Sequence, residues 1–399
     1  MLEQFWGKAG RVSRRLVPLG EPELVARACR ETRLSDLGDG SFHEPLHILL
    51  ESYDREASLS LLGRILVRQD TLRLLKTRLE LIEAWRRHPE IVNQPVCRPI
   101  FVTGLPRSGT TLLHRLLAQD PALRVPLVWE VLFPVPACER ANYETDPRIA
   151  KAEKMIGWFH RSAPEFRAIY PVSARLPQEC IAITTYTFQS PQFHTTHNVP
   201  AYQAWLLQQD QLAYAFHRRF LQHLQWRSPA QRWVLKAPAH LLALDAIFKT
   251  YPDAYIIHTH PDPLKTLPSS ASLTRVLRRI SSYRVDRAEI GLEVTERWSE
   301  GVKRALKARD AQDGRRDRFI DVHYPAFMRD PIESVRRVYT QVGLDFTLGV
   351  ETRIQRFLSA NPENREHRYT LEEFGLDPKW IMDRFKGYCE RFAIAPETA

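Results

Sequence analysis

The chain has 399 residues, 44% of them hydrophobic and 26% charged, which is enough apolar material for a large folded core. Its net charge of +10 suits anionic ligands, yet the basic residues are spread along helical patterns without a stripe of stacking aromatics, so no nucleic-acid partner is expected. No apolar run is long enough for a transmembrane span, Met1 to Gly20 is charged throughout, and the five cysteines have neither disulfide nor metal-ligand spacing, all of which predicts a reduced, cytoplasmic protein.

Residues 1–97 read as an N-terminal helical region. Within it, Gln4 to Leu19, with Phe5, Trp6 and several arginines, reads as a surface helix packed on the same protein, or as one lying on a membrane. Leu61, Leu62, Ile65, Leu66, Leu72, Leu75, Leu79 and Ile82 then recur every three or four residues, with Arg64, Arg68, Arg73 and Lys76 between them. That period predicts one helix with a buried apolar face and a solvated basic one. Further on, strands are expected at Ile100–Thr103, Trp233–Lys236, Tyr255–His258 and Phe319–Val322, and helices at Thr110–Gln119, His240–Thr250, Leu264–Ile280 and Ala288–Lys307. The alternation predicts an α/β fold, a central parallel sheet flanked by helices on both faces. Residues 130–230 break the rhythm with aromatics and prolines and read as a mostly helical insertion over the active face. Its aromatics, Tyr186, Tyr202 and Tyr214 among them, suit either a core or an apolar ligand.

The first strand runs straight into a loop and a helix: Gly104-Leu105-Pro106-Arg107-Ser108-Gly109-Thr110-Thr111. Unpaired N–H groups at a helix start carry the positive end of the helix dipole, so such a loop is built to cradle an anion. Gly109 lets the backbone come close, Thr110 and Thr111 add hydroxyls, and Arg107 adds a planar cation. Against the triphosphate-binding pattern G-x-x-x-x-G-K-S/T, the lysine after the second glycine is missing and the cation sits inside the loop. A phosphate-transferring kinase is therefore a weaker alternative, and no magnesium carboxylate is evident near the loop. A second motif, Arg232-Trp233-Val234-Leu235-Lys236-Ala237-Pro238-Ala239-His240-Leu241, brings a lysine to the lip of a buried strand, where an ammonium needs an anion or a wet cleft.

These two motifs, with Val128-Trp129-Glu130, Thr259-His260-Pro261-Asp262-Pro263 and Arg368-Tyr369-Thr370-Leu371, resemble the bacterial sulfotransferase-family proteins, relatives of the cytosolic and tyrosylprotein sulfotransferases. The resemblance implies a P-loop NTPase-like fold over residues 98–399, with 3′-phosphoadenosine 5′-phosphosulfate (PAPS) as sulfuryl donor, 3′,5′-adenosine bisphosphate (PAP) as product, and no metal. The acceptor would be a small molecule with a hydroxyl or amine, for which an apolar or aromatic alcohol suits the aromatic insertion. By the same resemblance, Arg107, Ser108, Gly109, Thr110 and Thr111 hold the 5′-phosphosulfate, Lys236 stabilises the leaving group, and Glu130 is the base with His240 in reserve. Ser269 falls in the 3′-phosphate site, with Arg365 and Arg368 where relatives place further basic residues. The family's T-H-R-D-P reads T-H-P-D-P here, so Pro261 removes a phosphate-binding arginine. Lys265, Arg275, Arg365 or Arg368 would have to replace it; otherwise the chain is an adenosine-phosphate-binding protein with weak or no transfer.

Overall fold

A computed structural model describes residues 13–162, 164–165, 172–209, 213–361 and 369–395. Phe5, Trp6, Tyr170, Arg365 and Arg368, singled out above or within the insertion, lie outside them. The N-terminal part consists of α1 (Glu21–Thr32), α2 (His43–Arg55) and α3 (Leu61–Arg87). Strand β1 (Ile100–Gly104) and α4 (Thr110–Leu117) follow, then β2 (Leu123–Arg124). Between β2 and β3 (Arg232–Lys236) the chain is helical: α5 (Val128–Leu132), α6 (Pro147–Ser162), α7 (Cys180–Thr184), α8 (Pro191–Thr196), α9 (Pro200–Leu207) and α10 (Tyr214–Gln225). Next come α11 (Leu244–Thr250), β4 (Tyr255–His260), α12 (Pro263–Arg279), α13 (Arg287–Ala311) and β5 (Phe319–His323). The chain closes through α14 (Tyr324–Arg329), α15 (Pro331–Val342), α16 (Leu348–Ala360) and α17 (Pro378–Arg391).

The five strands form one parallel sheet in the order β2-β3-β1-β4-β5, with Phe101 in register between Leu235 and Ile256. Side chains alternate across it, as strand geometry requires. Phe101, Trp233, Leu235 and Ile256 join the large core that also holds α3 and α10, while Ile100, Val102, Val234 and Ile257 face Leu113, Leu116 and Leu117 of α4. The mixture of apolar layers on both faces explains why these strands read as unbroken hydrophobic runs. From β1 the chain moves outward to β2, whereas from β3 it crosses to β4, so neighbouring strands β1 and β3 send their outgoing connections in opposite directions. The crevice at their carboxyl ends is where such sheets bind ligands.

Two expectations need correction, and one strand was not expected. The helix expected over His240–Thr250 is two pieces, a 3-10 turn at Pro238–Leu242 and then α11, broken at Ala243 with φ −145°. Thr103 ties down this stretch by donating its hydroxyl to the carbonyls of Ala237 and Pro238, both at 3.1 Å. Strand β2 has only two residues, too short to leave a pattern. In α3, Leu72, Leu75 and Leu79 are buried, but the first turns are reversed: Leu61, Leu62 and Ile65 are exposed while Arg64 and Arg68 are buried. Arg64 donates to the carbonyl of Val17 at 3.1 Å and pairs with Asp54 at 2.8 Å; Arg68 donates to Pro18 at 3.1 Å and pairs with Glu23. The segment before α1 presents carbonyls that need donors, and the arginines satisfy them better than leucines could.

Candidate active site

The phosphate-type loop is held in shape by its own backbone and by β4. Gly104 has φ +146°, and a Cβ there would fall 2.1 Å from the Thr259 hydroxyl, so only glycine fits between β1 and β4. Arg107 adopts the left-handed region at φ +65°, and Gly109, at φ +78°, opens α4 without any side-chain cap. The first turn of α4 thus turns its N–H groups toward the loop with no capping side chain on them. Ser108 is fully buried and its hydroxyl hydrogen-bonds Thr259 Oγ1 at 2.5 Å, so this side chain anchors the loop to β4 and faces inward. Arg107 points the other way and donates from Nε to Ser269 Oγ of α12 at 3.3 Å. Arg107 and Ser269, 162 residues apart, are therefore brought together.

Lys236 ends β3 beside this loop, 1% exposed, and its Nζ donates to Thr111 Oγ1 at 3.2 Å. It also forms an ion pair with the Glu179 carboxylate, which reaches in from the residue that precedes α7. Burial lowers the lysine's pKa and Glu179 acts against that shift. Sequence reasoning did not single out Glu179. It sits in the insertion without a motif, and the one signal was the demand of a buried lysine for an anion.

His240, in the 3-10 turn after β3, is buried and shares Nδ1 with the Tyr214 hydroxyl at 2.7 Å. Its Nε2 has no hydrogen-bond partner among the described residues. Burial, then the charges of His217, Lys236 and His114, hold its pKa well below the ordinary histidine value, so it is a neutral ring and a poor proton acceptor. The ring borders a cavity of about 20 Å³ with Cys180, Ile181, Pro191 and Tyr214, room for about one water molecule.

Glu130 is enclosed. Its carboxylate takes the Arg124 guanidinium at 2.7 Å, the Leu127 N–H at 3.0 Å, the Tyr143 hydroxyl at 3.0 Å and the Cys138 thiol at 3.4 Å. The side chain has no exposed surface, and the Leu127 contact caps the start of α5. These contacts make it a fastener between β2 and α5.

A sulfotransferase-family model matches residues 99–347, more than half of the chain. The chain belongs to the sulfotransferase family. Sulfotransferase STF1 from Mycobacterium tuberculosis is 33% identical with a TM-score of 0.82, over 92% of this chain and 98% of that one. STF9 from Mycobacterium avium is 29% identical with a TM-score of 0.84, over 95% and 98%. The omega-hydroxy-beta-dihydromenaquinone-9 sulfotransferase Stf3 of Mycobacterium bovis is 26% identical over 310 residues, 73% of this chain and 75% of the relative. Kinase chemistry gives way to sulfuryl transfer, and so does a purely nucleotide-binding role.

In this sulfotransferase the described residues contain one group with metal-ligand chemistry, His258, His260 and Asp321, whose ligand atoms lie within 4.8 Å of one another. Asp321 accepts both guanidinium N–H groups of Arg309 at 2.6 Å, and His260 Nε2 is 2.9 Å from the same carboxylate. The carboxylate is already neutralised by a fork-shaped cation. His258 and His260 lie on the face of β4 opposite Thr259 and stack with Tyr388 and Phe392, away from the loop. Among the described residues no helix is long and apolar enough to cross a membrane.

Proposed function

We propose that this sulfotransferase uses PAPS and moves its sulfuryl group to the hydroxyl of a small apolar acceptor, with Glu179 as base and Lys236 as the cation at the leaving oxygen. The observation that carries the reading is the Lys236–Glu179 pair at the ends of β3 and α7, in contact with Thr111 of the anion-binding loop. The loop fits the donor: the uncapped start of α4 offers N–H groups, and Arg107 stands at the rim with its Nε on Ser269 of α12. Bound there, the donor supplies an activated sulfuryl group on a phosphate leaving group. Arg107, Thr110, Thr111 and the loop N–H groups, those of Ser108 and Gly109 included, would hold the phosphate.

The base role moves from Glu130 to Glu179 because Glu130 has no open surface and its oxygens are occupied, whereas Glu179 is 15% exposed at the lip. When Glu179 takes the acceptor's proton its charge disappears, and Lys236 loses the partner that offset its burial. The ammonium then turns to the negative charge that develops on the leaving oxygen, so proton removal and charge stabilisation are coupled in one pair. The relative whose name specifies a hydroxylated menaquinone agrees with an apolar hydroxyl acceptor. All five cysteines are free, which suits a reducing cytoplasm.

The test is formation of PAP from PAPS with a panel of apolar alcohols, followed for the wild type and for Lys236→Ala. Turnover with at least one alcohol, falling by about a thousandfold or more in the variant, is the expected result. A Lys236→Ala protein that turns over at the wild-type rate removes this lysine from the reaction.

A further inference from the structure

We infer that the amino-end edge of the sheet carries a second anion site, built by Arg98, Arg232 and Arg318 around Tyr255, which takes a tetrahedral oxyanion of the phosphate or sulfate class. Arg98 precedes β1, Arg232 opens β3, Tyr255 opens β4 and Arg318 directly precedes β5. In the strand order β2-β3-β1-β4-β5 these four come from neighbouring strands, and because all the strands run parallel they share one edge. That edge is opposite the crevice, and the five residues of β1 set it about 17 Å from the anion-binding loop. The guanidinium carbons of Arg98, Arg232 and Arg318 lie 5.4, 4.9 and 4.6 Å from the centre of the Tyr255 ring. Arg98 and Arg232 also converge on one acceptor, the carbonyl of Val342 at the end of α15, at 3.4 and 3.0 Å.

This positive charge is short of counter-charge. Among the described residues the one ion pair that any of the three makes is Arg318 with Asp317, 3.6 Å long and with the aspartate side chain 74% exposed. Asp253 is close by, but its Oδ2 accepts the backbone N–H of Arg98 at 2.6 Å and its carbonyl accepts Arg318 Nη1 at 3.3 Å. Arg232 is 7% exposed, donates to the carbonyls of Arg98 and Val342, and leaves Nη2 buried without a partner among the described residues. A buried guanidinium without a counter-ion is costly, and burial, followed by the repulsion of Arg98, pushes the pKa of Arg232 down to about 10. Carbonyls carry only partial charge; a tetrahedral oxyanion supplies both the missing charge and acceptors for several guanidinium N–H groups at once. Arg98 is exposed and Arg318 half-buried, so the cluster is open to solvent on that side. Arg98 is also held in the left-handed region at φ +44°, an unfavourable conformation for a long side chain that the surrounding hydrogen bonds maintain.

Titration of the full chain with inorganic phosphate at constant ionic strength, read as the thermal midpoint, tests this. A saturable rise is expected in the wild type and in Arg107→Ala, whereas the double variant Arg98→Gln with Arg318→Gln should need at least about tenfold more phosphate for the same rise. A rise that is lost in Arg107→Ala and kept in the double variant puts the anion in the crevice alone and overturns the inference, as does a wild type without a saturable rise. Should the double variant fail to fold, wild-type crystals grown with tungstate, a tetrahedral anion located by its anomalous scattering, decide the matter: a peak at Arg98 and Arg232 supports the site, and its absence there overturns it. Glycerol phosphate run beside inorganic phosphate separates the sources, since tighter binding of the ester marks a phosphorylated metabolite and equal or weaker binding marks the free ion.

Discussion

Lys236 and Glu179 explain one another. A buried ammonium is unfavourable without a counter-charge, and a carboxylate at a cleft is a useful base only if something arranges its proton exchange. Glu179→Gln is expected to cut turnover by at least about a hundredfold with PAP affinity close to wild type, since the base is lost and the phosphate-holding loop is untouched. Glu130→Gln should behave differently: Arg124 would be left without its buried partner, and unfolding free energy should drop by about 3 kcal/mol. Measuring turnover and denaturant midpoint on both variants separates the roles. Glu130→Gln inactive at wild-type stability, beside an active Glu179→Gln, would return the base to Glu130.

The loop between β1 and α4 depends on two glycines whose requirements differ. Gly104 is confined by Thr259 of the neighbouring strand, so Gly104→Ala must push β4 away or distort β1. A loss of about 2 kcal/mol is expected, together with weaker nucleotide binding, because Ser108 is anchored to the same Thr259. Gly109 is constrained mainly by its left-handed backbone, where an alanine costs about 1 kcal/mol. Urea titration of the two variants should rank Gly104→Ala as the more damaging; the reverse order would mean that contact with β4 does not set the loop's position.

Across the chain, buried histidines make stability depend on pH. Burial pushes His114 and His217 down to about 3, and His197 and His223 down to about 4. In the unfolded chain each would take a proton near pH 6.5, so the unfolded state binds more protons than the folded one below that pH. Stability is therefore full above about pH 6.5 and falls as the pH drops toward 4, by up to about 1.4 kcal/mol per pH unit for each histidine. Thermal midpoints should hold from pH 7.5 to about 6.5 and decline from there to pH 4.5. A flat profile would show that these rings gain compensating partners when protonated.

Strands β1, β3, β4 and β5, the loop and Lys236 were readable in the sequence because each is a local statement: unbroken apolar runs over about five residues, a glycine and hydroxyl order at a helix start, a charge at the end of a buried strand. The family resemblance rests on the same local motifs. Glu179 was not readable, since it stands 57 positions before Lys236 in a part of the insertion without a motif, and only the packing of that insertion against β3 brings them together. Glu130 shows the converse, a carboxylate in a promising sequence position that folding surrounds with four donors. Arg64 and Arg68 follow suit, for periodicity separates two faces of α3 without saying which neighbouring carbonyls will claim the cations. Local order sets what each segment can form; partners far along the chain are chosen by packing, where every buried polar group has to find its counterpart.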